Sequence, residues 1–304
     1  MRLVAALGGN ALLRRGEPMT AERQRANVRR AVRPLSQLIL AGHDVVITHG
    51  NGPQVGLLAL QAQAGPPDGD YPLDVLGAES EGMIGYLIEQ ELRNVLPAGS
   101  MIATLLTQVL VDRYDPAFAS PTKPIGPIYS QDVAQRLARE RNWTIVADES
   151  GWRRAVASPE PREILEARVI EYLVDGGAIV VCAGGGGIPV LETDNGALVG
   201  AEAVIDKDLA SSLLAQFIAA DWLLLLTDVD AVYRDWGKST ARPINALSPR
   251  SIDLEPFAEG SMRPKVDAAA RFVSNRGKTA TIGHVADVAE MLKGSAGTVL
   301  TSEK

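Results

Sequence analysis

The chain has 304 residues, of which 46% are hydrophobic and 5% aromatic, enough for one large α/β domain or two lobes with a substantial core. Its net charge of −7 argues against a nucleic-acid-binding or membrane-surface protein, because such proteins carry a basic surface. The single cysteine, Cys182, excludes a disulfide within the chain, and because we find neither an N-terminal targeting pattern nor an apolar run of membrane-spanning length, we expect a cytoplasmic protein.

The first part of the chain predicts buried strands that alternate with amphipathic helices. Short, fully apolar runs indicate the strands; the first ends in Gly8-Gly9-Asn10 and the second in His49-Gly50-Asn51-Gly52-Pro53. Apolar residues at helical spacing indicate the helices. The predicted elements are strands at 3–7, 44–48 and 101–111, helices at about 20–40, 54–63 and 75–96, and a turn-rich linker at 65–70.

The pattern changes at residue 113, and from there to residue 160 the chain is rich in Pro, Arg and Gly. This stretch contains Pro-Thr-Lys-Pro-Ile-Gly-Pro at 121–127. Because a long loop in a compact domain usually serves function, we predict a lid or protruding subdomain inserted here.

Strand and helix patterns resume after the insert. Asn195-Gly196 between apolar arms predicts a β-hairpin over 191–199. The other predicted elements are helices at 163–174, from the corner at 206 to about 220, at 266–274 and at 285–292, strands at 178–182, 222–227, 279–282 and 298–301, and a Gly/Pro-rich loop that holds 260–265.

Strands that alternate with helices predict a three-layer αβα sandwich on a mainly parallel open sheet, from which the inserted subdomain protrudes. We expect an N-terminal lobe over 1–200, with the lid at about 113–160, and a C-terminal lobe over 201–304. Ligands of such sheets bind beyond the carboxyl ends of the strands. The loops after residues 7, 48, 182 and 227 are therefore expected at one edge of the sheet.

Three of these strand ends are rich in glycine: Gly8-Gly9-Asn10, His49-Gly50-Asn51-Gly52 and the four glycines at 184–187. Glycine lets the backbone approach a ligand closely and can present N–H groups to phosphate oxygens. Each loop by itself reads as a tight turn, but three such loops at one sheet edge favour a shared phosphate cradle.

The corner at 204–210, Val-Ile-Asp-Lys-Asp-Leu-Ala, places Lys207 between Asp206 and Asp208 at the start of a predicted helix. The free N–H groups and positive dipole end of a helix start suit an anion, especially a phosphate. Taken alone, the corner also fits an ordinary solvated helix start, because Asp favours N-caps.

Lysine usage strengthens the phosphate interpretation. Only 7 of the 30 basic residues are Lys and 23 are Arg, yet Lys123, Lys207 and Lys265 stand beside Gly, Pro or Asp in predicted loops. Lysines at the edge of an acidic protein's sheet suit phosphoryl transfer, which needs positioning and positive charge. Because no general base is evident, the acceptor is expected to be already ionised, such as a carboxylate or carbamate.

The motifs resemble the carbamate kinases, a branch of the amino-acid kinase family. The resemblance covers essentially the whole chain in order, and Pro-Thr-Lys-Pro-Ile-Gly and Gly-Trp-Arg-Arg are its most particular segments. The matching segments are 7–12, 48–56, 80–86, 121–127, 151–154, 184–190, 206–211, 226–233 and 260–266.

The resemblance implies reversible transfer of a phosphoryl group between carbamoyl phosphate and ADP, with Mg²⁺, giving ATP and carbamate in a homodimeric enzyme. It implies that Lys207 and Lys265 neutralise the phosphoryl group, that Asp208 orients both lysines, and that Lys123 reaches in from the lid. No metal-ligating side chain is assigned. The implied binding residues are Gly8, Gly9, Asn10, Gly50, Asn51 and Gly52 in the N-terminal lobe for carbamoyl phosphate, and Gly185, Gly186, Asp228, Val229, Tyr233, Met262 and Pro264 for the nucleotide.

Two residues depart from the carbamate kinase pattern. Arg263 stands where these enzymes usually have Gly, beside the expected nucleotide phosphates, and Glu81 replaces the more usual Gln. Two alternatives stay open: a sister kinase that acts on another carboxylate or phosphate, and a nucleotide-binding sensor without turnover, which only Arg263 supports.

Overall fold

The computed structural model describes residues 1–13, 17–64, 71–148, 151–254, 257 and 262–302, with the backbone alone at residues 10, 11, 63, 253 and 254. The predicted linker at 65–70 and residues 260–261 of the predicted loop lie outside the described residues.

The described residues form β-strands, α-helices and short 3₁₀ turns. In chain order the strands are β1 (Arg2–Leu7), β2 (Asp44–His49), β3 (Ile102–Thr104), β4 (Gln108–Val111), β5 (Lys123–Tyr129), β6 (Thr144–Asp148), β7 (Gly151–Val156), β8 (Pro161–Ile164), β9 (Ile179–Val181), β10 (Ile188–Glu192), β11 (Leu198–Gly200), β12 (Trp222–Thr227), β13 (Val232–Arg234), β14 (Arg242–Ile244), β15 (Ala246–Leu247), β16 (Thr279–His284) and β17 (Thr298–Leu300). The α-helices are α1 (Gly9–Leu12), α2 (Ala21–Leu40), α3 (Gly52–Gln63), α4 (Leu73–Val95), α5 (Gln131–Arg141), α6 (Ala167–Asp175), α7 (Lys207–Phe217), α8 (Arg263–Arg276) and α9 (Val288–Leu292). Short 3₁₀ turns lie at Pro116–Phe118, Gly184–Gly186, Pro249–Leu254 and Val285–Asp287.

The largest sheet has the strand order β15-β17-β16-β12-β1-β2-β9-β3 in the described part of the chain. The run from β16 to β3 is parallel throughout, and β17 pairs antiparallel with β16. The sheet is continuous across both halves of the chain, because β1 pairs directly with β12, with Leu3 opposite Trp222. The predicted mainly parallel sheet is confirmed.

Helices cover both faces of this sheet. On one face Val4 and Leu223 belong to a core with residues of α6, α7 and α8. On the other face Leu3 and Leu224 pack in a second core with residues of α2, α4 and α9. Strands buried on both faces read as continuous apolar runs, which is why 3–7 and 222–227 carry so little polarity. The three-layer αβα prediction is confirmed.

The predicted insert contains its own antiparallel sheet, in the order β5-β7-β6, together with α5. It lies directly on α3: a Cβ placed on Gly56 would lie 2.2 Å from the Cα atom of Gly126 in β5. The two backbones can approach this closely only because residue 56 has no side chain.

A smaller mixed sheet, in the order β11-β10-β4-β8, accounts for one confirmed prediction and two wrong ones. The hairpin around Asn195-Gly196 is present as β10 and β11. The single strand predicted at 101–111 is instead β3 and β4, which belong to different sheets, because the chain turns between them and the backbone N–H of Thr107 donates to Glu81. The helix predicted from residue 163 begins at Ala167, because the residues before it pair with β4 as β8.

Candidate functional site

Loops at the carboxyl ends of β1, β2 and β12, the N-terminus of α7 and the first strand of the insert enclose a cleft of about 520 Å³. Of the predicted site residues whose side chains the structure describes, all but Gly186 line it; the side chain of Asn10 lies outside the described residues. The predicted residues that line the cleft are Gly8, Gly9, Gly50, Asn51, Gly52, Lys123, Gly185, Lys207, Asp208, Asp228, Val229, Tyr233, Met262, Pro264 and Lys265.

The glycine loops after β1 and β2 lie against each other and next to the side chain of Lys207. A Cβ on Gly50 would lie 3.0 Å from the backbone nitrogen of Gly9 and 3.5 Å from Cδ of Lys207. The side-chain amide of Asn51 donates to Oγ of Ser80 in α4 at 2.8 Å, so its orientation is fixed from behind. These loops therefore present backbone directly to the cleft.

The third glycine loop lies beside the residues predicted for carbamoyl phosphate. A Cβ on Gly185 would lie 2.1 Å from Nδ2 of Asn51, and one on Gly186 would lie 2.7 Å from the carbonyl oxygen of Ile205. Gly186 is thus packed behind the cleft wall. The assignment of this loop to the nucleotide stays a prediction.

Three lysines from three different elements converge on two aspartates at the start of α7. Nζ of Lys123, from β5, donates to Oδ2 of Asp206 at 2.6 Å. Nζ of Lys207 donates to Oδ1 of Asp208, and Nζ of Lys265, from α8, donates to Oδ2 of Asp208 at 3.1 Å. Asp208 therefore connects Lys207 to Lys265, as the resemblance implied.

Burial and mutual attraction set the ionisation of this cluster. Burial lowers the pKa of Lys207, although Asp208 opposes this effect. For Lys265 burial also acts to lower the pKa, but the combined attraction of Asp208, Asp206 and Asp228 raises it. Burial alone would raise the pKa of Asp208, but the neighbouring ammonium groups of Lys207 and Lys265 lower it. Three ammonium groups surround two carboxylates here, and Asp228, which also lines the cleft, attracts Lys265 as well.

Apolar and aromatic side chains line another part of the cleft. The rings of Tyr233 and Trp236 meet edge to face with centroids 5.2 Å apart, and Trp236 is 62% exposed. Trp236 and Phe257 line the cleft together with the predicted residues Tyr233 and Met262. Neither Trp236 nor Phe257 was predicted, and the only sequence signal was the position of Trp236 three residues after Tyr233.

Glu81 lies behind the glycine loops and is 1% exposed. Its two carboxyl oxygens accept the backbone N–H groups of Gly184 at 2.7 Å and Thr107 at 3.1 Å. Burial raises the pKa of Glu81 to about 8, although both N–H groups act in the opposite direction. The neighbouring His49 is fully buried, and burial lowers its pKa to about 4. This polar layer supports the loop that carries Gly185.

Replacing Glu81 with Gln is expected to flatten the pH dependence of stability. Because the folded-state pKa lies above the ordinary value of 4.5, the folded protein binds the proton more tightly, and the free energy of unfolding falls as pH rises from about 5 to about 8. The fall is on the order of 3 kcal/mol. Denaturant unfolding of the wild type and of Glu81→Gln at several pH values measures this fall. If the free energies of unfolding of the two proteins changed with pH in parallel, Glu81 would not titrate in this range.

Arg263 does not line the cleft. Its Nε donates to both carboxylate oxygens of Asp267, at 2.8 and 3.0 Å, one turn further along α8. The departure from Gly at this position therefore leaves the described part of the predicted nucleotide region unobstructed.

The part of the chain that the structure describes holds no group of three or more His, Cys, Asp or Glu side chains placed to bind a metal ion. The carboxylates of Asp206 and Asp208 accept from lysines, and Asp228 also lines the cleft. Within the described residues, every helix is too short or too polar to cross a lipid bilayer.

The chain belongs to the amino acid kinase family, whose sequence profile matches residues 1–284. Along its whole length it is similar to carbamate kinases. It is 54% identical to that of Haemophilus influenzae, covering 100% of this chain and 97% of the relative, and 53% identical to that of Rhizobium meliloti, covering 99% and 94%. The solved structure of Giardia lamblia carbamate kinase bound to AMP-PNP matches with a TM-score of 0.90 at 40% identity, covering 99% and 98% of the two chains.

Proposed function

We propose that the protein is a carbamate kinase, which transfers a phosphoryl group reversibly between carbamoyl phosphate and ADP to give ATP and carbamate. One observation carries the proposal: Lys123, Lys207 and Lys265 converge on Asp206 and Asp208 in one glycine-lined cleft. Phosphoryl transfer needs positive charge around the migrating group more than covalent chemistry, and this cluster provides it.

In the proposed mechanism the N-terminal lobe, 1–200, binds carbamoyl phosphate and the C-terminal lobe, 201–304, binds the nucleotide. The glycine loops after β1 and β2 and the positive end of the α7 dipole face the phosphoryl group. Lys207 and Lys265 neutralise its charge during transfer, and Asp208 holds both ammonium groups in place. Carbamate is already an anion, so the reaction needs no general base.

We propose that Mg²⁺ enters with the nucleotide. Mg²⁺ commonly keeps several water ligands and binds one or two carboxylates together with substrate phosphates, so it does not need a cage of protein ligands. Asp228, which lines the cleft, is the residue that would hold its water shell. The bound ion would offset negative charge on the nucleotide phosphates.

The deciding experiment measures ATP formed from ADP, carbamoyl phosphate and Mg²⁺ by the purified protein, with each component omitted in turn. We expect ATP formation that depends on all three. Tight ADP binding without ATP formation would indicate the sensor instead. ATP formation only from another acyl phosphate, such as that of an N-acetylated amino acid, would indicate a sister kinase.

We also propose that the protein forms a homodimer, as the resemblance to carbamate kinases implies. Two large apolar side chains support a contact surface: Tyr86 of α4 is 54% exposed and Leu106, between β3 and β4, is 52% exposed. A solution mass of 32.3 kDa, that of one chain, measured by light scattering would contradict the proposal.

A further inference from the structure

The carboxylate of Asp206 makes two separate sets of contacts. Its Oδ1 caps α7 by accepting the backbone N–H groups of Asp208 at 2.9 Å and Leu209 at 3.3 Å. Its Oδ2 accepts Nζ of Lys123 at 2.6 Å. Asp206 itself is only 8% exposed, so its position is fixed by its surroundings.

Lys123 is more exposed to solvent than the other two cleft lysines. Its side chain is 32% exposed, compared with 10% for Lys207 and 12% for Lys265. It is also carried by the inserted subdomain, as the first residue of β5, rather than by the central layers. A long side chain with this exposure would sample several rotamers without a partner.

We infer that Asp206 is a positioning residue for phosphoryl transfer, which holds the ammonium of Lys123 in the cleft independently of its role as the cap of α7. The inference rests on the proposed function. An ammonium has three donors, so Lys123 can keep its bond to Asp206 and still donate to an incoming phosphoryl oxygen. The carboxylate thus fixes the ammonium without preventing it from binding the substrate.

Substitution can separate the two roles of Asp206. Asn and Ser cap helices about as well as Asp, so Asp206→Asn and Asp206→Ser should retain the helix start while losing the negative charge that binds Lys123. We expect both variants to fold with thermal midpoints lowered by several degrees, because a buried negative charge is lost, and a loss in turnover of roughly 10–100-fold, as for a misplaced reacting group. Wild-type turnover in Asp206→Ser would overturn the inference.

A double-mutant cycle tests whether Asp206 acts through Lys123. If it does, Lys123→Ala with Asp206→Ser should lose no more than about twofold beyond Lys123→Ala alone, because the group to be positioned is already absent. Losses that multiply would overturn the inference, since Asp206 would then act on the cleft by another route.

A matched control removes another ion pair between the insert and the rest of the protein. Arg154 of β7 donates to Glu202 at 3.1 Å, and neither residue lines the cleft. Glu202→Gln should leave turnover unchanged. A loss equal to that of Asp206→Ser would overturn the inference, because any anchor of the insert would then suffice.

Limited proteolysis gives a readout that does not depend on activity. Loss of the Lys123–Asp206 pair should make cleavage within 113–160 severalfold faster in both Asp206→Ser and Lys123→Ala, and unchanged rates would overturn the inference. If the wild type forms no ATP from carbamoyl phosphate, the proposed function fails, and proteolysis alone then decides whether Asp206 fixes Lys123.

Discussion

Lys265→Ala is expected to lower turnover by roughly 10²–10³-fold, and Lys207→Ala by at least as much, because each removes one positive partner of the transferred phosphoryl group. Both ammonium groups donate to the same buried Asp208. A lysine on the surface is not held in this way, so it could not take over the role of either one. Steady-state assays of ATP formation measure the effect.

The matched control for these variants is Lys293→Ala. Lys293 makes an ordinary ion pair with Glu290 at 2.7 Å on the surface, and its side chain is 66% exposed. We expect wild-type turnover from this variant. If Lys207→Ala and Lys265→Ala both matched it, the roles assigned to the two cleft lysines would be wrong.

Asp208→Asn is expected to destabilise the fold by about 3–5 kcal/mol, because it leaves two buried ammonium groups without their shared partner. Burial already lowers the pKa of Lys207, and Asp208 is the main group that opposes this. In the variant the pKa falls further. The unfolded chain then binds more protons than the folded one, so the free energy of unfolding of the variant rises with pH. The difference in this free energy between the variant and the wild type (the stability deficit) therefore becomes smaller at alkaline pH.

Denaturant unfolding at neutral and alkaline pH measures this effect. Asp267→Asn is the control, since Asp267 pairs with Arg263 near the surface of α8 and such pairs contribute at most about 1 kcal/mol. A deficit for Asp208→Asn that stays constant with pH would mean that the lysines lose no protons, contrary to the proposed electrostatics.

Local sequence signals were sufficient to predict the mainly parallel sheet, the helix layers on its two faces and the three lysines of the cleft. The apolar run at 3–7 and the corner at Asp206 each carry their structure within a few residues, through periodicity and capping. The break between β3 and β4 could not be predicted in this way. It depends on Glu81, distant in sequence, which accepts the backbone N–H of Thr107.

The same distinction holds within the cleft. Lys123, Lys207 and Lys265 were predicted because each stands in an unusual local setting, and the comparison with carbamate kinases confirms the resemblance drawn from their motifs. The pairing of Lys123 with Asp206 was not predictable, since it joins residues 83 positions apart. The contact of Gly185 with Asn51 likewise arises from tertiary packing, which no spacing rule encodes.

The contact between Gly56 and Gly126 has a consequence for the divergence of such chains. Because a single methyl group at position 56 would overlap the backbone of the insert, even alanine there would push the insert away from α3. A relative with a larger residue at this position must therefore carry its lysine-bearing strand at a different distance from the cleft. The residue at this position in a homologue's sequence would therefore predict whether its insert packs against α3 as closely as in this protein.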